Sequence, residues 1–174
     1  GRVWVGTRGG LAVFDPVARR AERVDLTGSV NEQALVTSMH VDRSGRLWVG
    51  SLGHGAFAVD TATRQVEHVP LEPAGTSVEP RSRLILSVAS TEHMLIVGTW
   101  GRGVFRAPLE RPPFRLLASG ADGNGLRHDN VTAVLATDQP GRPWVGSFGG
   151  GPQRVDVEAG TVAPSGGRPD ELIR

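Results

Sequence analysis

The feature that most restricts the fold of this chain is a repeat. Val-Gly followed by Ser or Thr occurs four times, with its glycine at Gly6, Gly50, Gly98 and Gly146, at intervals of 44, 48 and 48 residues. A second glycine follows in each copy, at Gly10, Gly55, Gly103 and Gly151, and three copies then reach an aspartate: Asp15, Asp60 and Asp156. Three copies carry a tryptophan two residues before the first glycine, at Trp4, Trp48 and Trp144. The third copy, "MLIVGTWGRGVF", has Ile96 in that place and a tryptophan four positions later, at Trp100. A unit that recurs at such an interval implies stacked copies of one supersecondary motif.

Within the unit the apolar residues alternate with a period of two, as in "RLWVGS" and "AFAVD", and β-branched residues are common. Turn-forming clusters such as Asp-Arg-Ser-Gly, Asp-Gln-Pro-Gly and Asp-Thr-Ala-Thr punctuate the runs. No capped stretch of helical periodicity lasts ten residues. Each unit therefore reads as four short strands, here A to D, and four strands every 44 to 48 residues match a β-propeller blade. The expected fold is all-β: a propeller segment of about four blades of four antiparallel strands, forming a partial or self-completed ring. The blades are placed at 1–34 (strands B to D only), 35–83, 84–129 and 130–169, with 170–174 starting a further strand A.

The repeated residues have structural roles in such a blade. Strand A is apolar because it lines a crowded axis. The tryptophan of strand B suits the wedge between neighbouring blades, which predicts that Trp4, Trp48 and Trp144 are buried there. Glycine after strand B permits a tight turn and close backbone approach. Aspartate at the end of strand C accepts backbone hydrogen bonds in the next turn.

Two copies, "ALVTSMHVDRSGRLWVGSLGHGAFAVD" (34–60) and "NVTAVLATDQPGRPWVGSFGGGPQRVD" (130–156), resemble the repeat of the two-component-regulator propeller family. The first copy begins only at strand B, and the third departs most, with Ile96 for Trp and no Asp-x-x-Gly turn. The resemblance implies the periplasmic or extracytoplasmic sensor propeller of a bacterial receptor whose output domain is a hybrid histidine kinase or a diguanylate cyclase. It also implies signal transduction linked to carbohydrate binding, with an oligosaccharide as ligand. Such propellers have seven or more blades. A chain of about four that opens on Gly1 in a strand pattern reads as a piece of a longer protein, completed by further blades, by its own 170–174 stretch, or by self-association.

Composition removes several other functions. The chain has 174 residues with a net charge of +1, so it lacks the basic field of a nucleic-acid binder. It has no Lys, Cys or Tyr, which excludes Schiff-base chemistry, thiol nucleophiles and disulfides. No apolar run approaches the roughly 20 residues of a membrane span, so no membrane contact is expected of this segment. No cofactor or metal is expected either: the five histidines are scattered, and "DGNG" (122–125), which resembles a calcium loop, has Leu126 where an oxygen ligand is needed. "GTWGRG" and "GSFGGG" precede no helix and so make no phosphate cradle.

Antiparallel strands in order A to D put the B–C loops and D–A connections on one face of the blades. Copies differ most there, and binding is grafted where loops vary on a rigid frame. The candidate ligand-binding residues on this face are Arg8, His54, Trp100, Arg102, Phe148, Arg81, Arg127, His128 and Asp129. An indole beside a guanidinium suits a sugar, which stacks on the ring while its hydroxyls meet the forked donors. Trp100 has two other readings: it folds back over the space left by Ile96, or it serves a protein interface. The chain itself reads as non-catalytic. The rivals are a protein-interaction scaffold and a propeller lyase or hydrolase using Asp129 and His128.

Overall fold

The computed structural model describes residues 1–29, 33–71, 83–109, 114–120, 125–137, 139 and 141–162. Among these, the regular elements are all β-strands, arranged as four antiparallel sheets in sequence order. Blade 1 holds β1 (Val3–Thr7), β2 (Gly10–Asp15) and β3 (Arg20–Val24). Blade 2 holds β4 (Leu35–Val41), β5 (Arg46–Leu52), β6 (Gly55–Asp60) and β7 (Val66–Val69). Blade 3 holds β8 (Ile85–Ser90), β9 (Met94–Thr99), β10 (Val104–Pro108) and β11 (Arg115–Leu117). Blade 4 holds β12 (Val131–Leu135), β13 (Trp144–Ser147), β14 (Gly151–Asp156) and β15 (Thr161–Val162). Strand A is thus β4, β8 and β12, and these pack on one another. The 170–174 stretch lies outside the described residues.

Alternation along each strand sends one set of side chains to the preceding blade and the other to the following blade. Three cores result, one per joint. Leu11, Val13 and Val24 of blade 1 meet Leu47, Val49, Phe57 and Val59 of blade 2. Trp48, Ala56 and Ala58 of blade 2 meet Ile85, Val88, Leu95, Val97 and Phe105 of blade 3. Ile96, Val104 and Leu117 of blade 3 meet Val131, Val145 and Val155 of blade 4. Among the described residues no core joins blade 4 back to blade 1.

The repeated glycine marks where the next blade comes closest. A Cβ on Gly6 would lie 2.5 Å from Val36 Cγ1, one on Gly50 2.5 Å from Ile85 Cγ2, and one on Gly98 2.5 Å from Val131 Cγ1. Each plugging residue sits in the strand A of the following blade. It stands just before a register shift, at Val36/Ser38, Ile85/Ser87 and Val131/Ala133. A bulge there bends the innermost strand and re-aims the β-branched residue at the glycine. Gly146 has no such neighbour: the nearest atom to its Cβ position is Ala133 Cβ of its own blade, 3.7 Å away.

The tryptophans separate in the same way. Trp48 is buried in the second joint, and its Nε1 donates to Asp42 Oδ2 at 2.8 Å. Asp42 also accepts from Ser44 N, Ser44 Oγ and Arg46 N, so the Asp-x-x-Gly turn and the indole are one hydrogen-bonded unit. Burial pushes the Asp42 carboxyl up, but these donors outweigh it and hold it below the ordinary aspartate value. Trp4 falls short of the expected burial: it packs on the core of the first joint but is only half-buried. Trp144 departs from the expected burial. It points from blade 4 to a side where no blade follows among the described residues, and is only half-buried, with the Arg154 guanidinium 5.7 Å from its ring centre.

The third joint fills the same space differently. Ile96 is opposite Arg106, where Trp48 is opposite Ala58. Arg106 is buried, and its Nη1 donates to the Glu158 carbonyl of blade 4 at 3.1 Å. A small-plus-long pair thus replaces a large-plus-small one. Burial lowers the affinity of the Arg106 guanidinium for its proton, Arg115 adds to this and Asp156 opposes it. It remains charged, since arginine does not titrate in the neutral range.

Aspartates close the outer turns: Asp15 Oδ1 accepts from Val17 N and Ala18 N, Asp60 Oδ1 from Ala62 N and Thr63 N, and Asp156 Oδ1 from Glu158 N and Ala159 N.

Two outcomes follow. In urea denaturation, Gly50→Ala lowers stability by about 1–3 kcal/mol through overpacking against Ile85, whereas Gly146→Ala changes it by no more than about 0.5 kcal/mol. The second concerns His40, whose Nε2 lies 2.7 Å from Ser90 Oγ across the second joint. Burial depresses its affinity for a proton below the ordinary histidine value of 6.5, with Asp42 opposing in part. Protonation therefore favours the unfolded chain, so stability holds above pH 6.5 and falls as pH drops through the folded value. His40→Gln flattens this slope in unfolding curves taken between neutral pH and the onset of carboxylate titration.

Candidate ligand-binding face

The B–C loops of blades 1 to 3 share one construction. The Ser or Thr of the motif donates its hydroxyl to the carbonyl of the second glycine: Thr7 to Gly10 at 3.0 Å, Ser51 to Gly55 at 2.7 Å and Thr99 to Gly103 at 2.9 Å. In the third loop, Gly101 and Gly103 have φ of +86° and +76°, a backbone that other residues adopt only with strain. The loops are also tied to the next blade's entry. Gly53 N donates to Arg83 O, and Gly101 N and Gly103 N both donate to Asp129 O. Within their own blades, Trp100 N donates to Leu84 O and Phe148 N to Asn130 O.

This pinning fixes what the loops present. Leu52, Trp100 and Phe148 hold the same place in successive copies and are 37%, 54% and 72% exposed. Arg8 holds that place in blade 1 and is also exposed. The structure removes one of the three readings of Trp100. Ile96 is fully buried without help and Trp100 stands out in solvent, so the indole does not fold back over it. Exposed apolar side chains held on a rigid, polar-rimmed surface are a feature of binding faces.

The nominated residues gather unevenly. Trp100, Arg127, His128, Asp129 and Phe148 belong to the loops at the third joint. The Cβ position of Gly150 is 3.1 Å from Arg127 Cβ and 3.3 Å from His128 Cβ. Arg102, in the same loop as Trp100, is half-buried. His54 is half-buried at the second joint, where its carbonyl accepts from His68 Nε2 at 3.1 Å. Arg8 belongs to the first loop, and Arg81 lies outside the described residues.

Several of these side chains are already engaged. Asp129 Oδ1 accepts from Ser119 N at 2.6 Å and Oδ2 from Ser119 Oγ at 2.7 Å. His128 Nδ1 accepts from Asn130 N at 3.2 Å, which puts any ring proton on Nε2. Arg127 Nη1 donates to Gly150 O at 3.4 Å, and its main-chain N–H to the buried Gln153 Oε1 at 2.7 Å. Sequence reasoning missed Ser119, Gln153 and the apolar role of Leu52. The last was legible, since Leu52 aligns with Trp100 and Phe148; the other two act through contacts that no spacing reveals.

The opposite face, read from the sequence as scaffold, carries a shallow cleft of about 730 Å³ between blades 2 and 3, lined by Asp42, Arg43, Ser44, Arg46, Glu92, His93, Pro108 and Leu109. Arg43 and Glu92 close part of it with a 2.8 Å ion pair. Its carboxylates are taken up by turn and ion-pair contacts, and it presents no exposed aromatic. The loop face is therefore the better candidate. Among the described residues, no three His, Cys, Asp or Glu side chains converge on a point that would hold a metal.

Sheets of this order, joined in series through an innermost strand, define a β-propeller. Residues 32–53, which span the first two strands of blade 2 with Asp42, Trp48 and Gly50, match the family model described as "Two component regulator propeller". No curated protein matches the chain. Among solved structures it is similar to a domain described as the extracellular domain of the hybrid two component system BT4673 from B. thetaiotaomicron. The TM-score is 0.72 with 19% identity, over 97% of this chain and 20% of that one. A domain described as the extracellular domain of the hybrid two component system BT3049 from the same organism gives 0.67 and 18%, over 87% and 18% of the two chains. The computationally designed Ika8 protein gives 0.62 and 14%, over 94% and 45%. The chain thus spans about a fifth of the two bacterial domains. The match to the two-component-regulator propeller repeat covers part of blade 2, and the likeness to the solved structures shows the fold.

Trp100→Ala and Phe148→Ala leave thermal stability within about 0.5 kcal/mol of the parent, while Ile96→Ala costs about 2–5 kcal/mol. Paired chemical denaturation curves check the contrast.

Proposed function

We propose that this chain is the ligand-sensing propeller of an extracytoplasmic bacterial signalling receptor, binding an oligosaccharide on the face built by its B–C loops. The observation that carries the reading is the exposed Trp100, whose loop is held by Asp129 O, one residue before the Asn130 carbonyl that holds the likewise exposed Phe148. A pyranose ring presents C–H faces that stack on an indole, and hydroxyls for Arg102, Arg127 and His128 Nε2. The similar bacterial domains are described as extracellular parts of two component systems, which supports the receptor setting and a periplasmic or otherwise extracytoplasmic location. Binding conveys a signal only if it favours one arrangement over another, and loops from adjacent blades meeting at one joint provide such a lever.

The chain acts by binding rather than catalysis in this reading. Asp129, the acid that the hydrolase alternative needs, spends both oxygens on Ser119. A protein partner is the second reading, favoured by the wholly apolar character of the Leu52, Trp100 and Phe148 row.

The test is intrinsic tryptophan fluorescence titrated with neutral and acidic oligosaccharides, alongside Trp100→Phe. A saturable change that vanishes in the variant is expected. Saturation unaltered by the substitution places the sugar elsewhere. Sugar binding that persists in the Trp100→Ala, Arg102→Ala double variant while a protein partner is lost favours the scaffold reading.

A further inference from the structure

The main chain of the loop face runs on from blade to blade. Leu84, at the entry to blade 3, accepts from Trp100 N of its own blade at 2.9 Å and bridges on its other side to Leu52 of blade 2. Asn130, at the entry to blade 4, repeats the arrangement: it accepts from Phe148 N at 2.8 Å and bridges back to Trp100. Leu52, Leu84, Trp100, Asn130 and Phe148 therefore form one transverse row across blades 2 to 4. Directly opposed residues in such a row carry their side chains on the same face. Exposure alternates along it: Leu52, Trp100 and Phe148 are exposed, and Leu84 and Asn130 between them are half-buried. Leu52 and Trp100 keep their exposure with the following blade in place, so it does not come from where the described blades stop.

This bonding fixes a spacing. Neighbouring strands lie about 4.8 Å apart, so one exposed apolar side chain follows the next after two steps, about 10 Å. An extended peptide brings a side chain to one face every ~7 Å and falls out of step with the row. A β-1,4-linked chain of pyranoses keeps step. Each of its rings is turned over relative to the last, so the same C–H face returns at every second sugar, after a length close to the two-strand step. An α-1,4-linked chain coils and offers no such flat series. Apolar platforms at this interval stack on alternate rings of a flat chain, and the Asn130 amide between Trp100 and Phe148 brings donors and an acceptor to the ring between them.

We infer, resting on the oligosaccharide reading above, that the ligand is a linear β-1,4-linked oligosaccharide laid along this row and held at every second ring. Three sugars are the shortest chain that reaches from one platform to the next, and five the shortest that reaches from Leu52 through Trp100 to Phe148. The row is held by main-chain bonds from blade to blade, so the platforms are already spaced before the sugar arrives. Chain length and linkage, rather than the identity of a single sugar, are what such a row selects.

The test titrates the tryptophan fluorescence of the chain with cello-, manno- and chito-oligosaccharides of one to six sugars, and with malto-oligosaccharides of the same lengths. In at least one β-linked series, affinity is expected to rise about five- to tenfold from two sugars to three and again by five. The malto series is expected to show no such rise. In the Leu52→Ala, Phe148→Ala variant, its fold verified by circular dichroism, the gain with length is expected to disappear because one platform is left. The inference is overturned, with the oligosaccharide reading intact, by a saturable Trp100-dependent response whose affinity ignores chain length. A gain that the double substitution leaves in place, or an equal gain in the malto series, overturns it as well. Silence of all four series overturns it too, and the oligosaccharide reading falls with it when acidic oligosaccharides are also silent.

Discussion

The structure depends on one contact made three times: a β-branched residue of an innermost strand seated over the glycine of the blade before it. Val36 on Gly6, Ile85 on Gly50 and Val131 on Gly98 bring neighbouring sheets so close that no Cβ fits between them. With that distance set, the remaining side chains of each wedge meet at packing density, and the rest of the joint follows. A bulge at the same point of each strand A makes the contact possible, because a straight strand would not aim its residue at the glycine.

Within that constraint the wedges are filled in two ways. At the second joint the indole of Trp48 provides the bulk, and its polar edge is satisfied by an aspartate whose other bonds close a turn. At the third, Ile96 and Arg106 share the space, and the guanidinium crosses to a carbonyl of the next blade. The loss of Trp from the third copy is thus compensated inside the joint. Trp100 owes nothing to core packing, which makes its exposure a feature of the surface.

Loops on the candidate face inherit their rigidity from the same joints. Asp129 lies at the entry to blade 4, and its carbonyl holds the Trp100 loop while its carboxylate holds Ser119. A displacement of blade 4 against blade 3 therefore moves the Trp100 loop, and under the proposed function a ligand spanning Trp100 and Phe148 would resist it.

Much of this was legible in the residues. Period-two alternation, the 44- and 48-residue spacing and the Asp-Gly turns determined strands, blades and the face on which loops vary, because those properties are local and repeat with the backbone. Sequence also marked Ile96 and Trp100 as departures. It did not show what compensates Ile96, since Arg106 and Glu158 lie 52 residues apart and meet only across a joint. Nor did it separate Trp144 from Trp48. Both occupy the same place in the motif, and their burial differs because one has a following blade and the other has none among the described residues. The repeat determined which residue types stand at each position; only the packing of sheet on sheet decided which are covered, because burial is a property of neighbours rather than of the strand that carries the side chain.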